Sequence, residues 1–491
     1  MVNPRKCRAA APLQKCQVAK TVNRQPNRAR VTIKTATNPR GRMKNKTTST
    51  CVVAIAVLAV ILGAEWFFLI SALSSNNNTQ SNSGQSSQMQ GGSGSSASYS
   101  SAKEITSDEE IASGEFTSAT ADENAISASG NIKAMLSNIT VTKTGDSDGS
   151  DNTSFYGTNS AIIAKSGANL TIKNATITTD ANGANGVFSY GGSATTNNTS
   201  SDGTTVNISD STITTKKNNA GGIMTTGGGT MNATNLIINT AGTSSAAIRS
   251  DRGGGTVTVD KGTYKTTGKG SPAIYSTADI TVKNATLVAT ASEGVVIEGK
   301  NSVVLENVDL TDTNNTLNGQ STTYKNIFLY QSMSGDAASG KAVFTSENSN
   351  IATNKGDSFY VTNTTAEINL ENNKIINNDT SGNFLRIQKD SWGKSGSNGG
   401  TVTLNMTNQS ATGNIVVDSI SSLTMSLKNG SAFKGVINSA NAGTVSLSLD
   451  KSSTLTLTGD TYVKSLTNAD TTNSNINFNG YKLYVNGAAI N

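Results

Sequence analysis

The chain has 491 residues, with 39 Lys and Arg against 33 Asp and Glu, 47 Gly, only 5 Pro and no His. The lack of His excludes His-based acid–base chemistry, nucleophile triads that contain His, and His metal ligands. The formal charge of +6 is uneven: residues 1–50 hold 13 Lys and Arg and no acid, whereas the chain beyond residue 73 is mildly acidic. That large portion is therefore not built to bind nucleic acid.

Residues 1–50 are basic, polar and without apolar periodicity, the pattern of a solvated arm. Met43-Lys44-Asn45-Lys46, directly before an apolar run, also fits the start of a secretion signal, so translation from Met43 is a second reading. Residues 51–73 are apolar apart from Glu65, and about 20 such residues span a bilayer as a helix. The basic flank places the arm in the cytoplasm and everything after Leu73 outside, as a single-pass signal anchor. Glu65 costs about 2.5–3.5 kcal/mol at a helix centre, which the many Val, Ile, Leu and Phe offset. Ala72-Leu73-Ser74 offers small residues for cleavage, so secretion after signal removal is the alternative. Residues 74–102 are Ser, Asn, Gln and Gly almost throughout, a flexible tether with an r.m.s. reach of roughly 30 Å. Residues 103–124 bring acids and a few apolar side chains and are assigned to an N-terminal cap that hides the first open edge.

From 125 to 491 the chain repeats. DITVKNATLVAT at 279–290 matches NLTIKNATITT at 169–179, TVNISDSTITT at 205–215 and GTVTVDKGTYKT at 255–266. Each copy is a short strand rich in Val, Ile and Thr, a break at Asn, Asp or Gly, and a second apolar strand. A further strand precedes each copy. Its anchors Ile163, Phe188, Ile223, Ile248, Ile274 and Ile297 are separated by 25, 35, 25, 26 and 23 residues. A period near 25 without hairpin returns predicts an all-β right-handed parallel β-helix, a solenoid of roughly 14 to 15 turns stacked about 4.8 Å apart. Insertions interrupt it at 145–159, 193–203, 313–325, 335–341 and 391–400, and 476–485 gathers Phe478, Tyr481, Leu483, Tyr484 and Val485 as an aromatic plug. Asn side chains are expected to stack in ladders inside the coil.

These repeats resemble the right-handed parallel β-helix proteins of the pectin-lyase-like superfamily. STLTLTGDTYVKSLTNADTTNSNINFNGYKLYVNG resembles the last passenger turns of autotransporter adhesins. SPAIYSTADITV, SEGVVIEGKNSV and FYVTNTTA resemble β-helix surface proteins of gut Gram-positive bacteria. The resemblance covers 125–491 and speaks for fold; enzymes and adhesins share that fold. The chain shows no autotransporter β-barrel and no sorting motif with Leu-Pro, so anchoring is expected at the N-terminal side.

The resemblance does not extend to catalytic motifs. Polygalacturonase-like enzymes carry paired Asp motifs and Gly-His-Gly, both missing here, and Arg386-Ile387-Gln388-Lys389 only imitates their Arg-Ile-Lys. Glu293 and Glu298 flank one strand, but residues five apart face opposite sides. Asp146, Asp148 and Asp151 around Gly149 are weak calcium candidates whose spacing departs from an EF-hand loop. No cofactor is implied. The three cysteines, Cys7, Cys16 and Cys51, all precede the large domain, whose stability must then come from stacking.

Two functional classes follow: a membrane-tethered, non-enzymatic adhesin or glycan-binding surface protein, and a polysaccharide-active lyase or hydrolase on the same fold. Specificity is expected where the repeat is broken, because loops on a rigid scaffold carry function. The insertions after Tyr330 and Arg386 hold the most distinctive side chains. The second contains Trp392, the only Trp outside 51–73, beside Arg386, Lys389 and Lys394. The two insertions are expected to share one side of the rod. Trp392 then either stacks a sugar or a partner's ring, or folds back on its own turn as a lid.

Overall fold

The computed structural model describes residues 97–147, 151–193 and 200–491. The basic arm, the apolar segment 51–73, the Ser/Asn/Gln/Gly-rich tether up to residue 96 and Asp148 lie outside these residues. Among the described residues, no helix is long and apolar enough to cross a membrane. The described fold is all-β apart from α1, the five-residue helix Asp151–Phe155.

Three strands recur per turn, and each pairs in parallel with its counterpart one turn on. The first column is a 12-stranded sheet running from Ser100–Ile105 to Ile415–Val417. The second and third columns together form a 22-stranded sheet. Val257 pairs with Ile280 and Ile280 with Val303, a step of 23 residues, while around the longest insertion Ser302 pairs with Val343. This stacking of in-register parallel strands fits a β-helix.

Alternation decides which side chains enter the core. In Asp279–Lys283 only Ile280 and Val282 are buried, and in Thr286–Ala289 only Leu287 and Ala289. Ile162, Val187, Ile223, Ile248, Ile274 and Val295 form one core row in the first column. The anchors Ile163 and Phe188 therefore sit one residue off the expected register. They are buried on the opposite side of the sheet, with Met224, Tyr99 and Tyr190. Stretch 103–124, expected as a capping end turn, lies in the first turn of stacked strands, and the first strand begins at Ser100, inside the stretch 74–102 expected as a tether. Ser100–Ile105, Glu109–Ile111 and Gly114–Ser118 pair in parallel with the strands that follow them.

Between the second and third columns the chain turns on a single left-handed residue. That residue is Asn at 138, 174, 235, 284, 307, 348, 372, 408 and 429, with φ between 47° and 56°, and Asp at 210. Asn tolerates this region because its short side chain bonds locally. Neighbouring corners are joined, for example Asn372 Nδ2 to Asn348 Oδ1 at 2.6 Å and Asn235 Nδ2 to Asp210 Oδ1 at 2.8 Å. The ladder runs along an exposed corner, not inside the coil as the sequence suggested. Polar atoms exposed to water are not desolvated there, so the left-handed turn, not core hydrogen bonding, selects Asn.

At the C-terminal end Leu483 is buried, and Phe478 and Val485 pack on the core. Tyr484 stacks on Tyr462 at 4.6 Å, whereas Tyr481 points outward at 39% exposure. Leu483–Val485 pairs antiparallel with Ala488–Ala489, the one reversed pairing among the described strands.

Candidate functional site on the outer face of the first column

Most strands bury one face, but Ile223–Thr226 and three successive strands further along the first column bury both. Val295–Glu298, Lys325–Tyr330 and Asp357–Thr362 are buried at every position. Val295 and Ile297 point into the core, while Val296 and Glu298 point away from it. The outward side chains are covered by the insertions after Tyr330 and Ile387.

An aromatic layer lies under these insertions. Phe328 and Tyr330 stack with centroids 4.4 Å apart, and Tyr360 meets Phe328 at 5.6 Å. Trp392 folds onto the pair, 5.3 Å from Phe328 and 5.2 Å from Tyr330. The Trp392 insertion is thus laid on Tyr330, the strand residue from which the other insertion leaves, and Trp392 is a half-buried ring packed on the preceding turns. Asn398 fixes its loop by donating to the carbonyls of Asp390 at 2.6 Å and Trp392 at 2.8 Å.

The cations beside Trp392 divide into two kinds. Arg386 donates from Nε to Asp357 Oδ2 at 2.5 Å, so it is an internal ion-pair partner and not the free cation expected. Lys389 and Lys394 are exposed and form no ion pair among the described residues. Lys389 borders an open pocket of about 450 Å³ together with Asp390, Ser391, Gly393, Ser395 and Asn398. Asp390 is held in place by Tyr360 Oη at 2.6 Å and Thr322 Oγ1 at 3.0 Å.

Deeper in the layer Glu298 is buried without a countercharge. It accepts from Tyr275 Oη at 2.5 Å, from Tyr330 Oη at 2.9 Å and from Ser332 Oγ. Burial pushes its carboxyl above the usual range, and these three hydroxyls oppose that rise. The insertion after Tyr330 is pinned further by Arg252, which pairs with Asp336 at 2.7 Å and lies 3.9 Å over the Phe155 ring of α1. Asp251 is pushed up to about 7 by burial, against the pull of Arg249.

Sequence reasoning named Tyr330 and Trp392 and weighed Glu298 only as one of two acids flanking a strand; it missed Phe328, Tyr360, Lys325, Asp390 and Tyr275. A signal was present. KNIFLY and DSFYVT lack the polar alternation of the other strands, as expected for strands covered on both faces.

Of the three calcium candidates, Asp148 lies outside the described residues. Asp146 accepts the Asn182 N–H at 2.8 Å and lies 3.5 Å from Lys217 Nζ, and Asp151 is an exposed first residue of α1. Among the described residues no group of three or more Asp, Glu or Cys is placed to hold a metal ion.

These features define an all-β repeat protein of stacked parallel strands, with an insertion-covered aromatic layer on one sheet. No protein-family model matches the chain, and no curated protein matches it.

Proposed function

We propose that the chain is a cell-surface rod, a right-handed parallel β-helix of the pectin-lyase-like kind, that binds glycans or other cell surfaces without chemical turnover. Segment 51–73 serves as the membrane anchor, and the stretch from 74 up to the first strand at Ser100 as the tether that lifts the coil off the bilayer. The observation that carries the reading is the aromatic layer on which Trp392 rests and to which Ser332 of the other insertion is tied through Glu298, with an open, polar pocket of about 450 Å³ in the Trp392 loop and exposed Lys389 and Lys394 nearby. Aromatic edges, hydroxyls and free ammonium groups are the chemistry that sugar rings and their polar substituents engage. The test is a glycan array probed with the full chain. Retention of a defined set of sugars that falls when Lys389 and Ser391 are replaced by Ala supports the reading, and uniform absence of binding refutes it. The tether is tested separately: protease added to intact cells should remove residues 74–491, and protection of that region rejects the topology.

A second reading, a polysaccharide hydrolase or lyase, draws on Glu298 and Asp251, two buried carboxyls with raised pKa values on the outer side of the same sheet. Incubation with pectin-type polymers discriminates the two: new chain ends favour the enzyme, binding without cleavage the adhesin.

A further inference from the structure

Residues 331–340 join the strands Lys325–Tyr330 and Lys341–Glu347 and are fastened to the outer face of the first column at two acids. Ser332 Oγ donates to Oε1 of Glu298, and Asp336 pairs with Arg252 at 2.7 Å. Arg252 shares its turn with Arg249 and Asp251, which pair with each other at 2.9 Å. Asp251 also accepts the Arg252 N–H at 3.0 Å, and Arg249 reaches Ser154 Oγ of α1 at 3.3 Å. Three carboxyls, Asp251, Glu298 and Asp336, thus share one cluster with two guanidiniums. Asp251 and Glu298 are buried, and the Asp336 side chain is only 12% exposed.

Fully ionised, the cluster carries three negative charges against two positive, and a net charge held away from water is costly. One proton makes it neutral. Burial pushes the Asp251 carboxyl up to about 7 against the pull of Arg249, with Asp336 and Glu298 adding to the rise. Burial likewise raises Glu298, with the charge of Asp336 adding to the rise. Tyr275 and Tyr330, both bonded to Glu298, are pushed well above the usual phenol range by burial first, so they remain donors throughout. The hydroxyls of Ser332 and Ser334 are 2.8 Å apart, and either can donate. Ser332 can therefore donate to an ionised Glu298, or accept from a protonated one and turn to Ser334. That fastener keeps a hydrogen bond in both states; what changes is the charge beneath the loop.

We propose that insertion 331–340 is a proton-held latch: it lies closed on the first column while the five-group cluster keeps one proton, and it lifts when that proton leaves to solvent. Lifting bares Tyr330, on which Trp392 rests, so the outer face responds to pH through one loop. The direction follows from linkage. Opening lets water reach Asp251 and Glu298 and returns them towards ordinary carboxylate values, so the closed loop binds the proton more tightly than the open one. Closure is therefore strongest near the ordinary carboxylate range, weakens as pH rises towards about 7, and changes little above. The latch works whatever ligand the outer face takes, and its test needs none.

Hydrogen exchange of the purified full chain, corrected for the pH dependence of the chemical rate, tests this. The amides of Ser334 and Asp336 bond to Ser332 Oγ and Ser334 Oγ within the loop. They should lose protection at least tenfold between pH 5 and pH 8, the factor that one pKa unit supplies, while Ile280 and Val282 in the core keep theirs. Glu298→Gln and Asp251→Asn each leave two charges of either sign in the cluster. In each variant, checked by circular dichroism for an intact fold, the two loop amides should be equally protected at both pH values. Equal protection at pH 5 and pH 8 in the wild type overturns the proposal. A tenfold loss that persists in either folded variant overturns it as well.

Discussion

Lys261 offers a direct measurement of what the Asn corners contribute. It is the one corner in the row from 138 to 429 that is neither Asn nor Asp, yet it holds the same left-handed conformation at φ 67°. A side chain that cannot bond its own backbone costs about 1–2 kcal/mol in this region. Lys261 gains little in return: its ion pair with Asp260 is 3.9 Å long, and the two side chains are 64% and 39% exposed. The ladder itself passes through the preceding residue, because Asn284 Nδ2 bonds Asp260 Oδ1 at 2.7 Å. Lys261→Asn therefore relieves the backbone without breaking a ladder bond and should stabilise by about 1 kcal/mol. Asn348→Ala makes the opposite change. It removes a residue suited to the corner and two exposed hydrogen bonds, from Asn372 Nδ2 and to Glu347 Oε1. A loss of about 1.5–2 kcal/mol is expected. Urea unfolding followed by circular dichroism reads both variants as shifts of midpoint at constant slope. A lower midpoint for Lys261→Asn, or an unchanged one for Asn348→Ala, would show that the corner residue does not control the turn.

Other outcomes follow from burial. Ile274→Asp places a carboxyl in the fully buried core row and should cost several kcal/mol, whereas Lys269→Asp, at a half-buried turn, should cost far less; equal melting temperatures would contradict the register. Trp392→Ala uncovers Phe328 and Tyr330 and should lower stability by about 2 kcal/mol, less than the 3–5 of a fully buried aromatic because the indole is half-exposed. Unchanged stability would mean that the ring does not rest on the layer. The folded-state pKa of Glu298 is raised, so its cost to stability is absent below the ordinary carboxylate range and grows as pH rises through that range towards the folded value. Glu298→Gln should accordingly gain on the wild type as pH is raised from 4 to 8, measured as the difference in melting temperature; a difference independent of pH would place Glu298 in water.

Fold and site were legible to different degrees. The strand–corner–strand repeat is written in DITVKNATLVAT and its copies, because period-two alternation and a left-handed corner each demand particular residues. The phase of the first column was not. In SAIIAKSG the pair Ile162-Ile163 offers two apolar neighbours, and only the cover over the outer face decides that Ile162 enters the core and Ile163 does not. Composition carried no such information, since the covering residues come from other turns. The same reason limited the reading of Arg386: its partner Asp357 lies 29 residues away in sequence and one turn away in space. The convergence of the two insertions was predictable because both leave the first column, at Tyr330 and after Ile387, and a coil returns each column to the same side.

Distinctive side chains concentrate on one side of this coil for a structural reason. The second and third columns expose short alternating strands whose outward residues are mostly Thr, Asn and Ser, so one turn offers much what the next does. On the outer side of the first column the insertions lean on one another instead. Phe155 of α1 carries Arg252, Arg252 holds Asp336, and the Asp336 loop reaches Glu298 through Ser332. Glu298 gathers Tyr275 and Tyr330, Tyr330 supports Trp392, and the Trp392 loop is tied through Asp390 to Thr322. The chain of contacts crosses several turns, so a ligand lying along it meets residues scattered from 155 to 395 in sequence. Fixed strand spacing of about 4.8 Å holds those residues in place without any of them being adjacent in the chain. A surface assembled in this way leaves no compact motif in the sequence, because the residues that meet on it come from different turns.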